Sequence, residues 1–97
     1  MVRFRRGADA GDTGVMTSIG CLYREGQGVT RDYQQAMARL CKAAEAGDGL
    51  AMYNIGALYE NGQGVVRNRE QAIAWYRKAA ALGNEDAKKR LAALGAQ

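Results

Sequence analysis

Apolar side chains recur along this chain at helical spacing, in short stretches that end at glycine. Val15, Met16, Ile19, Leu22 and Tyr23 fall on one face of a helix. Gly26 ends that stretch, because glycine tolerates the left-handed backbone that closes a helix. Asp32 is a natural N-cap for a second helix with Tyr33, Ala36, Met37, Leu40, Ala43 and Ala44 on its apolar side. Gly47 closes it, and Asp48 caps a third, which carries Leu50, Ala51, Tyr53, Ile55, Leu58 and Tyr59. Gly62 ends the third helix and Asn68 caps a fourth, filled by Ala72, Ile73, Trp75, Tyr76 and Ala79. Gly83 stops the fourth. Asn84 caps a short last helix with Ala87, Leu91 and Leu94 on one face and Lys88, Lys89 and Arg90 on the other.

The pattern restarts every 36 positions. Ile19-Gly20-Cys21-Leu22-Tyr23 returns as Ile55-Gly56-Ala57-Leu58-Tyr59, and Gly26-Gln27-Gly28-Val29 returns as Gly62-Gln63-Gly64-Val65. A fixed period of this length predicts an all-α solenoid, in which each helix pair buries its apolar face against its neighbours. The same shift places Phe4 on Leu40, Arg6 on Lys42 and Ala8 on Ala44, so the first residues read as the second half of a helix. The expected division is a partial repeat over 2–10, full repeats over 11–46 and 47–82, and a C-terminal capping helix over 83–97 within a single domain. Such a chain reads as cut from a longer array, or as one begun mid-repeat. Its ends are expected to expose apolar surface and to favour a homo-oligomer.

Composition narrows the function. The 97 residues carry 14 basic and 10 acidic side chains, a net charge of +4, with no histidine and no proline. The charges are spread over helix faces without interleaved aromatics, which argues against a nucleic-acid partner. No apolar run approaches the roughly 20 residues of a membrane span, so no membrane insertion is expected. The basic start, Met1-Val2-Arg3-Phe4-Arg5-Arg6, leads into no apolar stretch of the kind a secretory leader needs. A cytoplasmic location is the default expectation. The lack of histidine removes the commonest general base and the commonest metal ligand together. Two cysteines, Cys21 and Cys41, are too few for a disulfide scaffold or a metal site. No catalytic group, cofactor or metal is expected.

The string Ala51-Met52-Tyr53-Asn54-Ile55-Gly56-Ala57-Leu58-Tyr59-Glu60-Asn61-Gly62-Gln63-Gly64-Val65 resembles the Sel1-like repeat, a relative of the tetratricopeptide repeat. Gln71-Ala72-Ile73-Ala74-Trp75-Tyr76-Arg77-Lys78-Ala79-Ala80 continues the resemblance, which runs from about residue 10 to the end of the chain. The first repeat departs from the pattern at Arg39-Leu40, which stand where the second has Trp75-Tyr76. The resemblance implies a right-handed superhelix of antiparallel helix pairs and a role as an adaptor or scaffold binding a protein or peptide. It further implies a concave face lined by the first helix of each pair. Carried over by position, the lining is Thr17, Cys21 and Arg24, then Tyr53, Ala57 and Glu60, then Lys89, with Ser18, Asn54 and Arg90 beside them. An extended or helical peptide would engage this row by polar contacts around Tyr53.

Other features have structural readings. The two Gly-Gln-Gly strings follow helices rather than strands, so they are expected to be helix stops and tight turns, not phosphate loops. Trp75 and Tyr76 are expected to pack between helix pairs, since large aromatics dominate burial in thin solenoids. Helices folding back near residue 29 would stagger Cys21 and Cys41 by about one turn, or ~6 Å, which favours two thiols over a bridge. The resemblance keeps a bridge open, because some bacterial relatives join paired helices by disulfides. Two other functions stand beside the binding module. One is an architectural, self-associating segment of a longer array. The other is a hydrolase, an activity suggested for some cysteine-rich members of the resembling family, which this chain fits poorly, lacking histidine, a nucleophile–base pair and the cysteine pattern.

Overall fold

The computed structural model describes the backbone of residues 2–26 and 31–96, with side chains from residue 14 onward within those spans. Among the described residues five helices follow one another: α1 (Val2–Glu25), α2 (Tyr33–Glu45), α3 (Gly49–Asn61), α4 (Arg69–Ala81) and α5 (Glu85–Ala93). No strand occurs among the described residues. Each helix packs on the next, as in a stack of hairpins. The Cα envelope is 46 × 31 × 17 Å, thin enough for two helix layers.

Local chemistry sets the boundaries of α2 to α5. The Asp32 carboxylate accepts from the backbone N–H groups of Gln34 and Gln35, and Asp48 does the same for Leu50 and Ala51. Asn68 and Asn84 accept from Gln71 and Ala87. Each cap satisfies donors that a helix N-terminus leaves unpaired. At the other ends, Gly62 (φ 68°) is the C-cap of α3, and Gly47 (φ 95°) and Gly83 (φ 91°) stand just past α2 and α4. Gly64 (φ 78°) lies against Tyr33, where a Cβ would come within 2.4 Å of the Tyr33 Cβ. The second Gly-Gln-Gly string is therefore a helix stop and turn. The first runs beyond Gly26 into positions outside the described residues, as do the side chains of Phe4, Arg6 and Ala8.

Two apolar clusters hold the stack. Leu40, Ala43 and Ala44 of α2 meet Ala51, Ile55 and Leu58 of α3. Ala72, Ile73, Tyr76 and Ala79 of α4 meet Ala87 and Leu91 of α5. The prevalence of alanine lets helices approach closely, and two glycines allow more. A Cβ on Gly56 would lie 2.8 Å from two Tyr76 ring carbons, and one on Gly20 2.8 Å from Leu40 Cγ. So α1 sits on α2, and α3 on α4, through equivalent glycine contacts. Tyr76 is buried, as an inter-helix aromatic should be, whereas Trp75 is half-buried at the edge of the α2–α3 cluster with the Lys78 ammonium 4.5 Å over its ring.

The N-terminus departs from the repeat plan. A turn at Gly11–Asp12 would mirror Gly47–Asp48, yet α1 continues through it as one helix from Val2. The same dipeptide suits both states, because glycine populates helical and left-handed backbone alike.

Candidate functional site

The first helices α1, α3 and α5 carry equivalent residues at the 36-residue period. Thr17, Tyr53 and Lys89 occupy one register position, Cys21 and Ala57 another, Arg24 and Glu60 a third, and Ser18, Asn54 and Arg90 a fourth. Burial divides the expected row. Lys89 is exposed, and Cys21, Arg24, Tyr53 and Glu60 are half-buried. Thr17 (1% exposed), Asn54 (5%) and Ala57 (6%) are buried. These three cannot offer contact area to a partner and instead frame the surface from below.

The frame is polar and fully engaged. The Thr17 hydroxyl donates to Asp48 Oδ2 at 2.7 Å, joining α1 to the cap of α3. Asn54 donates its amide to the Leu50 carbonyl at 2.9 Å, and its Oδ1 accepts from Arg24 Nη1 at 3.1 Å. Arg24 Nε also donates to Gln63 Oε1 at 3.2 Å, and the Gln63 amide donates to the Tyr33 hydroxyl at 3.3 Å. One repeat later, Glu60 Oε1 accepts from the Tyr76 hydroxyl at 2.6 Å and from Arg90 Nε at 3.3 Å. Its second oxygen pairs with Arg90 Nη2. Arg24–Asn54 and Glu60–Arg90 are thus the same pair of positions, each 30 residues apart, with opposite polarity. Tyr53 completes the face, its ring tilted 40° against Tyr76 with centroids 5.5 Å apart.

Electrostatics follow from these contacts. Burial pushes the Glu60 carboxyl up, but hydrogen bonds from Tyr76 and Arg90 and the charges of Arg90 and Arg67 outweigh it, and Glu60 titrates below its ordinary value. Burial, the hydrogen bond to Glu60 and the adjacent carboxylate charge hold the Tyr76 phenol protonated well above its usual range. Cys21 and Cys41 are free thiols. Burial raises both, with Glu25 and Asp48 outweighing Arg24 at Cys21, and Glu45 adding at Cys41. Neither is a ready nucleophile at neutral pH. No cavity opens among the described residues, and no helix there is long and apolar enough to cross a membrane.

Asp48, Gln63 and Tyr76 belong to this network, although the sequence marked them only as a cap, a turn residue and a packing aromatic. The Arg24–Asn54 and Glu60–Arg90 pairs share a 30-residue spacing, six short of the repeat, whereas Asp48, Gln63 and Tyr76 join at spacings of 31, 39 and 16 residues, which no common period signals.

Repeated helix pairs, glycine-mediated approach and cross-repeat pairing define an all-α solenoid. Comparison with known proteins gives its family: the Sel1 repeat model matches residues 15–48 and 49–84, and the chain belongs to the Sel1 repeat family. A Sel1 repeat protein from Oxalobacter formigenes superposes with a TM-score of 0.82 at 36% identity, covering 86% of this chain and 34% of that one. A protective antigen of uropathogenic Escherichia coli with an SLR fold gives 0.79 at 35% identity, covering 91% and 19%. The Helicobacter pylori cysteine rich protein B gives 0.74 at 32% identity, covering 81% and 59%. This chain therefore spans less than two thirds of each of these bacterial proteins. Among curated proteins no match is found.

Proposed function

We propose that this chain is a non-enzymatic interaction module that binds a protein or peptide along the face formed by α1, α3 and α5. The reading rests on one observation. The cross-repeat pairs fix Arg24 and Glu60 in place while leaving them part-exposed, beside the half-buried Tyr53 and the exposed Lys89. A charged surface held rigid before binding loses less side-chain entropy when a partner docks. Tyr53 is the anchor, since a half-buried aromatic braced by a second ring offers large contact area at small entropic cost. Thr17, Asn54 and Ala57 act through the frame and not by contact. Membership of a repeat family whose folds serve protein binding supports the same reading.

Panning a displayed peptide library against the purified chain tests it. Selected peptides should lose at least tenfold in affinity for the Tyr53→Ala, Lys89→Glu double variant, which leaves the buried frame intact. Peptides that bind parent and variant equally, with both folded by circular dichroism, would move recognition to another surface.

A further inference from the structure

A second surface lies on α1, away from that row. In the second repeat, Ala51, Ile55 and Leu58 of α3 are each 0% exposed, because α2 covers them with Leu40, Ala43 and Ala44. Their equivalents on α1 lack such a cover: Val15 is 55% exposed, Leu22 39%, and Ile19 is part-exposed. The chain thus shows, in its own second repeat, what this stripe accepts: the second half of a helix of α2 type, running antiparallel.

One segment has that register. Residues 2–10 fall on 38–46, so Phe4 stands at the position of Leu40 and Ala8 at that of Ala44. They cannot reach the stripe of their own chain, because α1 is one helix from Val2 to Glu25. At 1.5 Å per residue, residues 2–10 lie further along the same axis. Asp48, just past the end of α2, bonds to Thr17, which sets the end of α2 beside the middle of α1. A helix interior holding Gly7, Gly11 and Gly14 is weak by itself, each glycine costing about 1 kcal/mol relative to alanine. It needs packing to persist.

We propose that the stripe Val15–Ile19–Leu22 is a self-docking surface for residues 2–10 of a second copy of this chain. Two α1 helices pair antiparallel about a two-fold axis at Gly11–Asp12. Counted back from the turn in α2–α3, this register sets Ala8 opposite Val15 and Phe4 opposite Ile19. The pairing is isologous, so each copy gives and receives the same segment, and the assembly closes at two. Exchange of an element that the fold already packs within one chain is a low-cost route to a dimer.

Light scattering should return twice the 10.5 kDa chain mass at high concentration, and Leu22→Glu or Val15→Lys should halve it while circular dichroism stays unchanged. Both sites are exposed enough to carry a charge in the folded monomer, and two variants guard against one failing to fold. In a Cys21→Ala, Cys41→Ala background, Ala8→Cys with Val15→Cys should oxidise to a covalent dimer. A monomer mass at every concentration overturns the proposal. So does a bridge closing within one chain, which would mean that residues 2–10 fold back at Gly11–Asp12, and so does a dimer that persists in both charge variants.

Discussion

Glu60 and Tyr76 show how much one residue pair decides. A phenol whose burial is matched by a carboxylate, itself held by an arginine, is satisfied only in one protonation state. Because Tyr76 titrates above its usual value when folded, the stability it confers is complete below about pH 10 and is lost as pH rises beyond that. Glu60 runs the other way. Its folded value is depressed, so its contribution is present above about pH 4.3 and disappears as pH falls through the lower folded value. Thermal midpoints followed against pH should therefore fall less steeply on the alkaline side in Tyr76→Phe than in the parent, and less steeply on the acid side in Glu60→Gln. Profiles parallel to the parent would show that the pair does not carry this dependence. None of this was legible from residue type. Tyr76 read correctly as a core aromatic, but its hydroxyl needs a partner that only stacking supplies, and Glu60 read as a surface contact.

Helices were the most legible level, because their ends are set by local chemistry. Asp32, Asp48, Asn68 and Asn84 each cap the helix expected of them, and Gly26, Gly47, Gly62 and Gly83 each take positive φ at the expected ends. The four caps are not equal. Asp32 holds only exposed backbone donors, whereas Asp48 also accepts from the buried Thr17 hydroxyl of α1. Asp32→Ala should cost about 1 kcal/mol in urea unfolding. Asp48→Ala should cost about 1–3 kcal/mol beyond that, for the hydroxyl left unpaired. Equal losses would mean that the Thr17 contact contributes nothing. The expected binding row was less legible than the helices that carry it. The family resemblance put Thr17, Asn54 and Ala57 on the lining by position, but exposure is set by tertiary packing that position alone does not give, and here all three are buried. The Gly11–Asp12 boundary was illegible for the opposite reason, since nothing local forces a turn there.

At the scale of the whole molecule, the solenoid was written in its period, and its contacts run mainly between consecutive helices, α1 to α2 through α4 to α5, with α1 also touching α3. Less visible is that the units are not equivalent. Arg24 donates to Asn54, and Glu60 accepts from Arg90, so each first helix is matched in hydrogen-bonding polarity to the first helix that follows it. Tandem units that share a period invite unequal recombination, and the shortest such event would excise one period, for example residues 31–66. The shortened chain would keep its apolar register and every cap of its remaining helices, yet bring Arg24 against Arg90. It should therefore be less stable than loss of a repeat alone requires, and Arg24→Glu in that background should recover part of the deficit in urea unfolding. If the substitution gives no recovery, the cross-repeat charges carry no information about order. With recovery, the alternating pair acts as a parity check on repeat number, penalising a contraction that hydrophobic packing by itself would accept.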